Sequence, residues 1–190
     1  MSGHFPGKIR IVAGFRKGHR LKVPGRGVRP TSEKVREAIF DVLGSVVGLS
    51  VLDLFAGTGA LGLEALSRGA VRSVFVEMDP QVAGVLRENV FALGFDDKCE
   101  ILAVGYHDGV KILLQRQEEF DLLFLDPPYR MLSEVERTLS PHLPALLSPG
   151  GLVVVESDRS FRPTMGGTPV FDRVYGSTRV TMIRLGRSSL

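Results

Sequence analysis

The stretch Val51-Leu52-Asp53-Leu54-Phe55-Ala56-Gly57-Thr58-Gly59-Ala60-Leu61-Gly62 decides the fold. A short apolar run enters a turn with two glycines one residue apart, and apolar residues at helical spacing follow to Ser67. Gly57, Gly59 and Gly62 satisfy a G-x-G-x-x-G spacing. That spacing serves a tight strand-to-helix turn, a backbone open to a ligand, and close packing of helix on strand.

Downstream the pattern repeats. Strands are predicted over 50–54, 73–77, 100–104, 121–125 and 152–155. Helices are predicted over 61–67, 81–93, about 109–116 and 133–147, with Ser148-Pro149-Gly150-Gly151 as the last turn. Continuous apolar strands alternating with helices predict an α/β fold, a Rossmann-like parallel sheet covered on both faces. The tail departs from this. Residues 170–175 and 179–185 are strand-like runs joined by Gly176-Ser177, which predicts an antiparallel hairpin.

Upstream, 8–12 and 20–23 alternate like strands around Gly14-Phe15-Arg16-Lys17-Gly18-His19, which predicts a β-hairpin. Pro24-Gly25-Arg26-Gly27 is a linker. Thr31 or Ser32 then caps a helix carrying Val35, Ile39, Val42, Leu43 and Val46, closed by Gly48. The division expected is a basic hairpin extension over 1–30 and a catalytic domain over 31–190.

The chain has 190 residues, 44% of them hydrophobic, enough for one domain with a sizeable core. No apolar stretch approaches the roughly 18 residues of a membrane span, and the N-terminus lacks a secretory pattern. Cys99 is the single cysteine, which fits a reducing cytoplasm, and the four histidines lack metal-ligand spacing. A monomer without metal is the expectation. The net charge of +3 hides an asymmetry: residues 1–36 carry +9 and the other 154 carry −6. Positive charge confined to one segment points to a polyanionic partner, with Arg10, Arg16, Lys17, Arg20 and Arg29 as candidate phosphate contacts.

Glu77 follows Gly57 by 20 residues, at the end of the second strand. A carboxylate there grips ribose hydroxyls, of NAD or of another adenosine cofactor. Asp53 separates these readings. It interrupts an apolar strand, and a buried carboxylate needs a donor or a cation. S-adenosylmethionine offers an ammonium, whereas a dinucleotide site has no such need. The alternative role, capping amides of the glycine loop, is compatible with the first. The candidate cofactor site comprises Asp53, Phe55, Ala56, Gly57, Thr58, Gly59, Glu77 and Met78. Asp108 is either a partner for the adenine amino group or an N-cap for the helix after it.

Asp126-Pro127-Pro128-Tyr129 stands at the C-terminal end of a predicted parallel strand, where such sheets place ligands. An exocyclic amino nitrogen on a base is a poor nucleophile, because its lone pair is delocalised into the ring. Acceptors aimed at its two N–H bonds free that lone pair. The Asp126 carboxylate and Pro127 carbonyl suit this, with the consecutive prolines fixing the backbone. Tyr129 offers a face for stacking an extruded base.

The combination of Asp53, Gly57-x-Gly59 and Asp126–Tyr129 resembles the Rossmann-like amino methyltransferases. Arg10-Ile11-Val12-Ala13-Gly14, Arg29-Pro30-Thr31, Val35–Phe40, Leu61–Ala70 and Tyr175–Thr178 narrow the resemblance to the bacterial 16S rRNA guanine-N2 methyltransferase D family. The resemblance covers nearly the whole chain. It implies a class I S-adenosylmethionine-dependent fold of seven strands with the last pair antiparallel. It further implies methylation of a guanine in the 16S rRNA of an assembling small ribosomal subunit. By matching position, Gly57, Gly59 and Glu77 would bind the cofactor and Asp126–Tyr129 the guanine. The chain departs at Asp41, where the family usually has Asn, and over Val104–Asp108, which aligns poorly.

Other readings stay open on the residues alone. The same motif suits a DNA adenine or cytosine, or a protein glutamine. An NAD-dependent oxidoreductase and a non-catalytic rRNA-binding assembly factor are the remaining two.

Overall fold

A computed structural model describes residues 9–24 and 32–186. Its centre is one seven-stranded sheet, whose strands are β1 (Ser50–Asp53), β2 (Arg72–Val76), β3 (Cys99–Leu102), β4 (Phe120–Leu125), β5 (Leu147–Asp158), β6 (Thr168–Tyr175) and β7 (Thr178–Arg184). The spatial order is β3-β2-β1-β4-β5-β7-β6. The first five strands run parallel, and β7 pairs antiparallel with both β5 and β6. The order reverses at β1 and β4, the switch point where an open sheet forms a crevice.

The alternation of side chains along the strands divides the core in two. Val51, Phe75, Phe124 and Val154 face α1 (Glu33–Leu43), α2 (Ala60–Ser67) and α3 (Pro80–Leu93), where Ile39, Phe40, Leu63, Leu66, Leu86 and Val90 cover them. Leu52, Val74, Leu123 and Val153 face α4 (Tyr106–Gln115), α5 (Leu132–Leu139) and α6 (Leu143–Leu146). Each fully buried aliphatic contributes about 1.5–3 kcal/mol by leaving water. None of the described helices is long and apolar enough to cross a membrane. Burial pushes the Cys99 thiol up to about 12, with Asp96 and Asp97 adding to it, so the side chain behaves as a small apolar group.

Several boundaries differ from expectation. Ser32 is the N-cap of α1, its Oγ accepting the Val35 N–H at 3.3 Å. The helix stops at Gly44 and not at Gly48, because Gly44 takes φ +71° and returns its N–H to Phe40. Helix α4 starts three residues earlier than predicted, with Gly105 as its N-cap, so Asp108 lies in the first turn and is not the cap. The predicted helix over 133–147 is broken into α5, a 3-10 turn over Ser140–His142, and α6. Pro141 and Pro144 lack the N–H groups that a continuous helix needs. Strand β5 runs through the predicted Ser148–Gly151 turn, with an irregularity in its pairing to β4 between Phe120 and Leu122.

The N-terminal hairpin narrows to a single antiparallel bridge, Arg10 with Arg20, flanked by bonds from Ile11 to His19 and from Leu21 to Ile9. Its apolar side chains, Ile9, Ile11 and Leu21, belong to the same core as α1–α3. Glu64, fully buried on α2, accepts the N–H groups of Val12 at 2.7 Å and Ala13 at 2.9 Å and pairs with Arg68. Ser67 completes the junction through Arg16 N–H and the Ala13 carbonyl.

Candidate active site

A cleft of about 640 Å³ opens at the C-terminal ends of β1, β2, β4 and β5. That size suits a small-molecule ligand. Its walls include Asp53, Phe55, Ala56, Gly57, Thr58, Glu77 and Met78 on one side, and Asp126, Pro127, Pro128 and Tyr129 on the other.

The glycine loop is held by carboxylates. Glu77 accepts the Gly57 N–H at 2.9 Å with one oxygen and the Asp79 N–H at 2.9 Å with the other. Asp79 in turn caps α3 through Gln81 and Val82, with Pro80 at its first position. Gly59 has φ +81°, and a Cβ there would collide with Leu86. A Cβ on Gly62 would drive into the Phe75 ring and within 2.7 Å of Ser73 Oγ. Only glycine lets α2 lie this close to β2, which is the packing its spacing predicts.

Asp53 is 2% exposed. Its Oδ2 accepts the Gly62 N–H at 3.3 Å, so the capping role holds. Burial pushes its carboxyl up to about 7, and the charges of Asp126 and Glu77 add to the rise against the amides of Gly62 and Phe55. A buried acid among acids, facing a cleft, suits a cationic ligand group. The residues of the cleft therefore fit a ligand that carries a cationic group, as S-adenosylmethionine does.

Tyr129 is half-buried and its hydroxyl is hydrogen-bonded to Thr178 Oγ1 at 3.3 Å, across to the β6–β7 turn. The Pro128 carbonyl accepts the Met131 N–H at 2.7 Å, closing a 3-10 turn behind the motif. The turn thus presents Asp126 and the Tyr129 ring to the same space.

Two placements, those of Asp108 and Arg16, depart from expectation. Asp108 is exposed and does not line the cleft, and on that side Tyr106 is the residue that stacks against Phe55, with ring centroids 5.1 Å apart. Arg16 is committed within the fold, donating from Nε to the Leu93 carbonyl at 2.6 Å with its guanidinium 5.8 Å from the Phe95 ring centre. Arg10 is exposed beside Glu33, while Lys17 and Arg20 are exposed; Arg29 lies outside the described residues. Sequence reasoning passed over Ser32, Val35, Asp79, Met131, Glu156 and residues 175–178, all of which line the cleft. Glu156 carried a signal: like Asp53, it is an acid placed directly after an apolar run.

A smaller concavity of 350 Å³, lined mainly by α4 and α5 residues such as Val110, Leu114 and Leu139, lies away from the glycine loop. Among the described residues no group of three or more His, Cys, Asp or Glu side chains is arranged to hold a metal ion.

A family model described as conserved hypothetical protein 95 matches residues 9–184. The chain is 38% identical over 156 residues to the ribosomal RNA small subunit methyltransferase D of Escherichia coli K12, covering 80% of this chain and 76% of that one. It is 37% identical to the protein of the same name in Haemophilus influenzae, covering 80% of each. A solved structure of a hypothetical protein from Thermus thermophilus superposes with a TM-score of 0.81 at 32% identity, covering 93% of this chain and 99% of that one.

Proposed function

The chain belongs to the conserved hypothetical protein 95 family, and from that membership we propose that it is an S-adenosylmethionine-dependent methyltransferase acting on the exocyclic N2 of a guanine in the 16S rRNA of the small ribosomal subunit. One observation carries the reading. The Asp126–Tyr129 turn faces the same cleft as the Glu77-braced glycine loop and the buried carboxyl of Asp53.

When bound, S-adenosylmethionine supplies a methyl group activated by a sulfonium. Asp53, Gly57 and Glu77 would hold that cofactor, with Phe55, Ala56, Thr58 and Met78 around it, while Gly59, which does not line the cleft, shapes the turn through its φ of +81°. Asp126 accepts a hydrogen bond from the guanine amino group, which raises the lone-pair density on N2, and takes up the proton that N2 releases once it is alkylated. The Pro127 carbonyl serves the second N–H. Tyr129, tethered through Thr178, stacks the extruded base, worth about 1–3 kcal/mol.

Arg10, Lys17 and Arg20 serve as phosphate contacts, and Arg16 braces the turn that carries Lys17. The hairpin tip docks on Ser67 and Leu93, the C-terminal ends of α2 and α3, whereas the cleft lies at their N-terminal ends. At 1.5 Å per residue the tip is roughly 12–20 Å from the reacting centre. That separation favours an extended RNA over a free nucleotide as substrate.

The test is nucleoside mass spectrometry after incubating the protein and S-adenosylmethionine with unmodified small subunits. N2-methylguanosine in the 16S rRNA is the expected product. Its absence, with cofactor binding intact, would overturn the substrate assignment.

A further inference from the structure

Glu156 ends the apolar run of β5 and is 4% exposed, yet it lines the cleft. Strand β5 pairs with β4 in the register Phe124–Val154 and Leu125–Val155. Asp126 directly follows Leu125 and Glu156 directly follows Val155, so the register brings both acids to the same end of the sheet, and both line the cleft. Adjacent strands lie about 4.8 Å apart.

The order of the strands gives this position a meaning. Asp53 and Glu77 occupy β1 and the end of β2, the half of the cleft assigned to the cofactor. Asp126 follows directly after β4. Glu156 on β5 lies one step further from the cofactor half, toward the β6–β7 turn whose Thr178 holds Tyr129. It is on the side where the acceptor base must sit.

Behind it lies a second unusual group. Arg36 on α1 is 0% exposed, and its Nη2 donates to the Arg10 carbonyl at 2.6 Å. Its Nε and Nη1 make no hydrogen bond among the described residues. Its charge is felt by Glu64, Glu33, Glu156 and Glu37, and burial holds its pKa below the ordinary value. A buried guanidinium within electrostatic reach of Glu156 offsets part of the cost of burying that carboxylate.

Resting on the guanine reading above, we propose that Glu156 is the residue that selects guanine, by accepting the N1–H of the base while Asp126 accepts from its N2 amino group. In guanine these donors sit side by side on one edge and point the same way, matching two acceptors at the same end of the sheet. Adenine presents an N1 lone pair at the same place and would be repelled. Discrimination of this kind is strong, because a mismatched base leaves a buried polar group unpaired.

The test uses the intact protein and small subunits rebuilt with 16S rRNA carrying either guanosine or 2-aminopurine riboside at the methylated position. 2-Aminopurine keeps the amino group but has a lone pair at N1. The wild type should favour guanosine by about tenfold or more in kcat/KM. Glu156→Gln, whose amide can donate to a bare N1, should lose guanosine transfer and narrow or reverse the ratio. Glu156→Asp should be slower yet keep the guanosine preference. S-adenosylhomocysteine affinity should stay within about twofold of wild type in both variants, which reports an intact fold. An unchanged guanosine to 2-aminopurine ratio in Glu156→Gln would overturn the assignment while leaving the methyltransferase reading in place. Absence of transfer to either base by the wild type would overturn the guanine reading and this assignment together.

Discussion

The carboxylate of Asp53 accepts the backbone N–H of Gly62 at 3.3 Å, joining the end of β1 to the first turn of α2 beneath the cleft. This bond does not offset the burial of the acid, whose carboxyl is pushed up to about 7. Near neutral pH the empty site therefore contains a protonatable group that a cationic ligand would drive to its ionised form.

Affinity for S-adenosylmethionine should rise as pH increases through about 7 and level off above it, because the ammonium prefers the ionised partner. Titration calorimetry from about pH 6 to about pH 8.5 checks this, a range chosen to bracket the shifted carboxyl. Asp53→Asn should bind more weakly with a flat profile over the same range. A wild-type affinity independent of pH would remove Asp53 from the cofactor.

The same group shapes stability. Its folded pKa lies above the unfolded value near 3.8, so the folded protein holds the proton more tightly. That contribution is complete below about pH 4 and is lost as pH rises through about 7. Apo Asp53→Asn should therefore gain stability on the wild type as pH rises, by a few kcal/mol at most by about pH 8.5. Urea denaturation at about pH 5.5 and about pH 8.5 supplies both values.

Asp126→Ala should lower kcat by roughly 10²–10³-fold, the loss typical of a group that stabilises developing charge. Because Asp126 raises the Asp53 pKa, its removal should hold or slightly strengthen cofactor binding near neutral pH. A large loss of cofactor affinity would reverse the roles given to the two acids.

Gly62→Ala tests the packing of α2 on β2. The new methyl meets Phe75 and Ser73, neither of which can withdraw from the sheet, so a loss of about 1–3 kcal/mol is expected. Chemical denaturation measures it. A variant as stable as the wild type would mean that helix and strand separate freely.

On the hairpin, Lys17 and Arg20 should behave differently from Arg16. Replacing both with Gln should reduce the salt dependence of RNA binding, by roughly 0.7–0.9 in slope for each phosphate no longer neutralised. Arg16→Ala should instead lower stability, since its Nε holds the end of α3. Filter binding across a salt series, paired with thermal denaturation, separates the two effects.

The parallel sheet and its antiparallel terminal hairpin were legible because apolar strands and helical spacing report burial directly; the order of the strands was not. The glycine loop, Glu77 and the Asp126–Tyr129 turn were legible because they lie at strand ends, where chemistry interrupts an apolar run. Contributions from distant elements were not. Ser32 caps α1 and Val35 lies in it, and Thr178 belongs to the terminal hairpin; nothing in their local sequence says that the fold turns them toward the cleft of Asp126. Glu156 was readable by the rule that exposed Asp53 but was hidden by its distance from any glycine signature. The bond from Arg16 to the end of α3 was not legible, because charge counting cannot tell a free surface cation from one that also holds a helix end. The break at Pro141 and Pro144 was present in the sequence and was outweighed by the apolar periodicity around it.

Glu64 and Ser67 fix the basic hairpin to the trailing end of the helix whose leading end is the glycine loop. Eight residues of α2 thus fix the distance between the basic hairpin and the glycine loop. In the function proposed above, that fixed distance is a gauge between phosphate contacts and the reacting centre. It would pass an RNA whose fold presents a backbone and an unstacked base at that spacing, a test of shape and not of sequence.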